Sequence, residues 1–102
     1  MSAAFEKLRF LLVDDNQHIR AIVSTILKGV GVRQIREAMD GAEALQILRD
    51  WRPDIAIVDF KMSPLDGVQF THLVRNSHDS VDPFLPIIML TGFAERHRVF
   101  EA

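Results

Sequence analysis

Cysteine does not occur anywhere in the 102 residues. Disulfides, thiolate metal sites and cysteine nucleophiles are therefore excluded, although the absence identifies no compartment. Basic charge is not in excess: 12 Lys+Arg stand against 14 Asp+Glu, for a formal net charge of -2. So little positive charge releases few counterions from DNA or RNA, and no direct nucleic-acid partner is expected. No apolar run approaches the roughly 18 residues that a membrane span needs. Residues 1–9 carry charges where a signal peptide would need its apolar centre. No membrane partner is expected, and the cytoplasm is the default location. There is no repeat, low-complexity tract or Gly/Ser linker. What is present suits one small globular domain, read as spanning 1–102: 48% of residues are hydrophobic and 25% charged. That balance opposes disorder, and a chain this long buries enough surface for one core.

Two kinds of segment alternate along the chain. Phe10-Leu11-Leu12-Val13 is a short apolar run that stops at Asp14, Ile55-Ala56-Ile57-Val58 stops at Asp59, and Ile87-Ile88-Met89-Leu90 stops at Thr91. Runs of this length between polar or Pro/Gly residues suit strands buried on both faces. Gln34–Ala38 alternates less cleanly and is expected at a sheet edge. Between the strands lie helical patterns. Ile19, Ile22, Val23, Ile26 and Leu27 share one helical face, ended by Gly29 or Gly31. Ala44, Leu45 and Leu48 repeat the spacing after Asp40-Gly41, with Pro53 closing the unit. Gly67, Phe70, Leu73 and Val74 form a third face, and a further helix is expected from about Ala94. Alternation of strand and helix predicts parallel strands joined by right-handed crossovers, with helices on both sides of one sheet. The C-terminal ends of such strands lie on one rim, where ligands bind at the point of strand-order reversal.

Polar residues follow each buried run. If the first and third strands are neighbours, their ends are about 4.8 Å apart. Asp14, Asp15, Asp59 and Thr91 then converge. Each has a plainer reading. An aspartate or threonine at a strand-to-helix junction commonly caps the next helix, and Asp59 alone could simply initiate a turn. Capping, however, does not require two adjacent aspartates facing a third. At ~4 Å and an effective dielectric of about 20, each like-charged pair costs roughly 4 kcal/mol. Either one carboxylate holds a proton, or a divalent cation neutralises the group. An all-oxygen donor set with open positions suits Mg²⁺ or Mn²⁺ better than Zn²⁺. One aspartate could then serve as nucleophile while the other two hold the metal.

The residues resemble the receiver domain of two-component response regulators. The resemblance is carried by Phe10-Leu11-Leu12-Val13-Asp14-Asp15-Asn16, by Glu37-Ala38-Met39-Asp40-Gly41-Ala42-Glu43-Ala44-Leu45, by the segment from Pro53 through Asp59-Phe60-Lys61-Met62-Ser63-Pro64 to Asp66-Gly67, and by Pro86-Ile87-Ile88-Met89-Leu90-Thr91-Gly92. An adjacent acidic pair is a weak signal alone; all these blocks in series are a strong one. The resemblance implies an α/β, flavodoxin-like doubly wound sheet of order 2-1-3-4-5. It implies Asp59 as phosphoacceptor, Asp14 and Asp15 as the Mg²⁺-holding pair, and the Lys61 backbone carbonyl as a further metal ligand. Thr91 is implied as the switch hydroxyl. The implied phosphoryl donor is a sensor histidine kinase or a histidine phosphotransfer protein, and the implied recipient of the signal is a downstream effector protein or domain. Such a domain catalyses its own phosphorylation and dephosphorylation but is primarily a signalling module.

The resemblance also has gaps. A complete receiver continues with a fifth strand, bearing a lysine and an aromatic switch residue, and a fifth helix. No lysine follows Lys61 here. A fragment is the expected explanation, ahead of exchange with another chain or natural truncation. Without those elements the Ile87-Ile88-Met89-Leu90 strand becomes an edge, and part of one sheet face and of the first helix face lies bare. Assembly stays open between monomer, homodimer and domain swap. Met62-Ser63-Pro64 departs from the family's usual Met-Pro order while keeping the spacing to Asp66-Gly67. His18, His72, His78 and His97 form no ligand spacing, and His18 is expected to be solvated. Trp51 is expected to cover the end of the second helix. Phe93 and Phe100 are expected as core contacts or as residues left exposed. Three functions compete: a phosphoacceptor, a non-phosphorylated pseudo-receiver acting as an interaction module, and another aspartate-nucleophile phosphotransferase. The last ranks lowest, because Lys61 stands where such enzymes place a second aspartate.

Overall fold

A computed structural model of the chain describes residues 3–61, 65–76 and 82–90. In chain order the elements are α1 (Ala3–Lys7), β1 (Arg9–Val13), α2 (Gln17–Gly29), β2 (Gln34–Ala38), α3 (Gly41–Asp50), β3 (Ile55–Asp59), α4 (Gly67–Asn76) and β4 (Ile87–Leu90). All strand pairs are parallel, and the order across the sheet is β2-β1-β3-β4. This is the doubly wound arrangement expected from the alternation, with the strand order reversing between β1 and β3. The short α1 was not anticipated from the sequence. The expected helix near Ala94, Thr91 and the loop at Met62-Ser63-Pro64 lie outside the described residues, as do His78, His97, Phe93 and Phe100.

Side chains of successive strand residues leave opposite faces, so each apolar run feeds two cores. Leu11, Val13, Ala56 and Val58 pack on one face with Ala44 of α3 and with Phe70 and Val74 of α4. Phe10, Leu12 and Ile57 pack on the other with Val32, and Val23 and Leu27 of α2 rest against them. Of the five-residue stripe on α2, only these last two pack well. Ile22 is 56% exposed and Ile26 61%. Ile88, opposite Ile57 in register, is 51% exposed. Among the described residues, no helix covers the sheet beside α2 on the β3 and β4 side. Among the described strands, Gln34–Ala38 and β4 lie at the two edges, as expected. Leu73 at 36% sits at the margin of the α4 face rather than in the core.

Helix ends carry definite local chemistry. Asn16 caps α2: its side-chain oxygen accepts from the amides of His18 and Ile19. At the other end, the Gly31 amide donates to the Lys28 carbonyl and the Val32 amide to Leu27, with Gly31 at φ 108°. Two nested bonds around a left-handed glycine form a Schellman motif, so Gly31 rather than Gly29 stops the helix. Asp40 caps α3 by accepting from the Glu43 amide at 2.8 Å, while Glu43 accepts from the Met39 amide. Asp66 and Gln69 cap α4 reciprocally, each side chain accepting from the other residue's amide. Trp51 ends α3 and packs against the first core, with the Arg36 guanidinium 5.1 Å above its ring.

Candidate phosphoacceptor site

The register of the central strands decides what meets at the rim. Val13 stands opposite Ala38 on one side and Val58 on the other. Asp14 and Asp15 therefore emerge from the end of β1 directly beside Asp59, the last residue of β3. Each of Asp14, Asp15 and Asp59 offers a carboxylate oxygen, and these oxygens all lie within 4.8 Å of one another. Asp14 is only 7% exposed, Asp59 half-buried and Asp15 open to solvent.

Helix capping does not account for the acidic pair. Asn16 performs that task for α2, and the Asp14 carboxylate instead accepts the Asn16 amide at 2.8 Å. Asp59 does initiate a turn: its Oδ1 accepts the Lys61 amide at 3.2 Å. That turn is compatible with a second role, because one carboxylate has room for several partners.

Like charges crowd Asp14. Burial raises the pKa of Asp14 above its ordinary 3.8, and the charges of Asp59 and Asp15 push it further. The Asn16 amide opposes them in part by stabilising the charged form. The Arg20 guanidinium is paired with Glu37 at 2.9 Å and donates to the Asp14 carbonyl rather than to the Asp14 carboxylate. A hard divalent cation fits this all-oxygen donor set, and the fit rests on the convergence of three carboxylates.

Gly67 shapes the other wall. A Cβ there would lie 2.6 Å from the Asp59 carbonyl oxygen and 2.5 Å from Met89 Sδ. The start of α4 can therefore sit directly against the backbone of Asp59 and Phe60, where the Gly67 amide donates to the Phe60 carbonyl at 3.1 Å. Gly41 is similarly tight against Leu65 in the loop that follows Asp59.

A family model described as the response regulator receiver domain matches residues 10–102. The chain belongs to the response regulator receiver family. Among similar proteins, chemotaxis protein CheY-3 of Vibrio cholerae is 31% identical over 103 residues, covering all of this chain and 78% of the relative. Chemotaxis protein CheY of Pseudomonas aeruginosa is 32% identical over 95 residues, covering 93% and 75%. The solved structure of the chemotaxis response regulator CheY4 of Vibrio cholerae matches with TM-score 0.75 at 34% identity, covering 90% of this chain and 75% of that one. These likenesses place the receiver in two-component signalling of the chemotaxis-like type with a flavodoxin-like fold. Receivers of this kind generally bind Mg²⁺ at an acidic pocket and interact with histidine kinases and effectors.

The sequence-derived set divides in two. Asp14, Asp15 and Asp59 come together; Lys61 lies in the turn beside them, exposed. His18 is exposed on the first turn of α2, as expected. Three contributors carry no site role in the sequence reading: Asn16 and Gly67, which appear there only within motifs or a helical face, and Arg20. Asn16 was legible in principle, since an asparagine just before an amphipathic run is an N-cap signal. The roles of Arg20 and Gly67 depend on segments far away in the chain.

Proposed function

We propose that this receiver accepts a phosphoryl group on Asp59 in a Mg²⁺-dependent reaction and relays the change to a partner surface. The observation carrying the reading is the meeting of three carboxylates from two strand ends, with capping already assigned to Asn16. Asp14, Asp15, Asp59 and the Lys61 backbone carbonyl are the residues to hold the cation, Mg²⁺ or alternatively Mn²⁺. When bound, the cation supplies charge neutralisation for the carboxylates and for the equatorial phosphoryl oxygens.

The chain's own residues do the rest. An Asp59 carboxylate oxygen attacks phosphorus in line with the leaving group. With a phosphohistidine donor of a sensor histidine kinase or histidine phosphotransfer protein, the new O–P bond forms as the P–N bond breaks. The departing imidazole takes up a proton from solvent. Later a water molecule attacks phosphorus, the O–P bond to Asp59 breaks, and phosphate leaves, which returns the free carboxylate. The Asp59–Lys61 turn and the close approach of Gly67 fix the nucleophile's backbone. Thr91 follows β4, the strand beside Asp59, and is assigned the switch hydroxyl that answers the new dianion, so that a local charge change biases a two-state surface read by a downstream effector. The domain is read as one unit over 1–102 acting in the cytoplasm.

Incubation with acetyl phosphate or beryllofluoride tests the proposal, with intact-mass and peptide mapping as readout. The expected result is one adduct on Asp59 that needs Mg²⁺ and vanishes in Asp59→Asn. No adduct on the folded chain refutes it and favours the non-phosphorylated interaction module, which is further marked by the lack of a saturable Mg²⁺ response.

A further inference from the structure

We infer that Arg20 is a positioning residue for the acidic pair: its guanidinium clamps the Asp14 carbonyl to the Glu37 carboxylate and so sets the directions of Asp14 and Asp15. The inference rests on the metal-dependent reading of the site above and deepens it.

Arg20 sits on the first turn of α2, and its amide donates to the Asn16 carbonyl at 3.1 Å. Its side chain turns back towards the sheet and is only 15% exposed. One arm, Nε, donates to Glu37 Oε1 at 2.9 Å; the other, Nη1, donates to the Asp14 carbonyl oxygen. Glu37 belongs to β2 and Asp14 follows β1, so one planar group ties a helix to two strands. Asp14 is thereby held at two points, its carbonyl by Arg20 and its carboxylate by the Asn16 amide at 2.8 Å. The peptide that joins Asp14 to Asp15 has little freedom left to rotate. Its orientation decides where the Asp15 side chain departs and whether both carboxylates face Asp59.

The pairing with Glu37 has a second consequence. A free guanidinium at this place would turn to the nearest carboxylate and partly replace a cation. Bound to Glu37 and to the Asp14 carbonyl, Arg20 contributes geometry rather than a direct counter-charge to the Asp14 carboxylate. The fork geometry of arginine suits the task, because a lysine ammonium is a single point donor on a flexible stem.

Positioning and simple electrostatics give opposite signs. Removing a positive charge near the site should tighten Mg²⁺ binding if charge alone mattered. If positioning dominates, removal weakens it. Residues that orient ligands typically contribute about 10–100-fold in metal affinity. The test is calorimetric Mg²⁺ titration of the full chain at fixed ionic strength, in wild type, Arg20→Gln and Arg20→Lys, with thermal unfolding in EDTA to verify folding. Weakening by about tenfold in Arg20→Gln, and a smaller weakening in the charge-keeping Arg20→Lys, is the expected result. If Arg20→Gln does not fold, Arg20→Lys decides alone, since electrostatics predicts no change for it. Wild-type or tighter affinity in every folded variant overturns the inference while leaving the phosphoacceptor reading standing. A wild-type chain that binds no Mg²⁺ overturns both.

Discussion

Replacing Asp14 with asparagine should make the metal-free receiver more stable at neutral pH. The substitution is nearly isosteric, and asparagine Oδ1 still accepts the Asn16 amide that Asp14 accepts now. What disappears is charge. Carboxylate oxygens of Asp14, Asp15 and Asp59 lie within 4.8 Å of one another; at that separation each like-charged pair costs between about 0.9 and 3.5 kcal/mol for effective dielectrics of roughly 80 and 20. Asp15 is exposed, so the lower end applies to its pair with Asp14. Neutralising Asp14 removes two of the three pairs together with the burial penalty of its own charge. Even with both pairs near the lower end a gain of about 2 kcal/mol follows, which for a domain of this size raises Tm on the order of 10 °C.

The gain also has a pH signature. Burial first, then the neighbouring carboxylates, raises Asp14 above 3.8 in the folded state. Between 3.8 and that raised value the folded chain binds more protons than the unfolded one, so wild-type stability falls as pH rises through the window. The advantage of Asp14→Asn is complete above the raised folded value and fades to nothing below 3.8. Urea unfolding in EDTA across this range measures it. Adding Mg²⁺ should then reverse the order, because a cation that binds only the folded wild type stabilises it by mass action. A variant no more stable than wild type at pH 7 in EDTA, or a gain independent of pH, would refute the account based on burial and like-charge repulsion.

Other residues give sharper structural checks. Gly67→Ala places a methyl group 2.6 Å from the Asp59 carbonyl; it should cost about 1–3 kcal/mol in urea unfolding and slow acetyl phosphate labelling, since relief requires moving the Asp59–Phe60 backbone. Asn16→Ala removes the acceptor for two helix amides and should cost about 1 kcal/mol; a negligible loss would mean that the aspartates can cap α2 after all. Ile26→Gln, at a position 61% exposed, should change stability by less than about 0.5 kcal/mol. A loss several times larger would show that something covers this face in solution.

Much of the architecture is legible because it is local. Apolar runs ending at Asp14 and Asp59 mark strands buried on both faces; the run ending at Thr91 also marks a strand, but β4 is only partly buried, with Ile88 largely exposed. The spacing of Ala44, Leu45 and Leu48 marks a half-buried helix in the same way. The stripe on α2 was less informative. Spacing alone puts Ile19, Ile22, Val23, Ile26 and Leu27 on one apolar face; that part of it lies bare, as Ile22 and Ile26 do, follows from the resemblance and not from the spacing. Helical periodicity says which residues share a side, and the neighbours present decide how much of that side is covered. The choice between capping and chemistry for Asp14 and Asp15 was likewise open until Asn16 was seen accepting the α2 amides.

Chain-local chemistry, then, suffices for the strands, the helices, their caps and the parallel alternation, since each depends on residues within a few positions of one another. It also suffices to nominate the aspartates. Their convergence is different in kind. Asp14 and Asp59 are neighbours because β1 and β3 pair in a register that sets Val13 opposite Val58, and strand pairing is a long-range choice made by the packing of two cores. The same holds for the Arg20 clamp to Glu37 and for the Gly67 approach to Asp59. Contacts between distant segments carry no local signature, because the energy that makes them is shared across the whole fold.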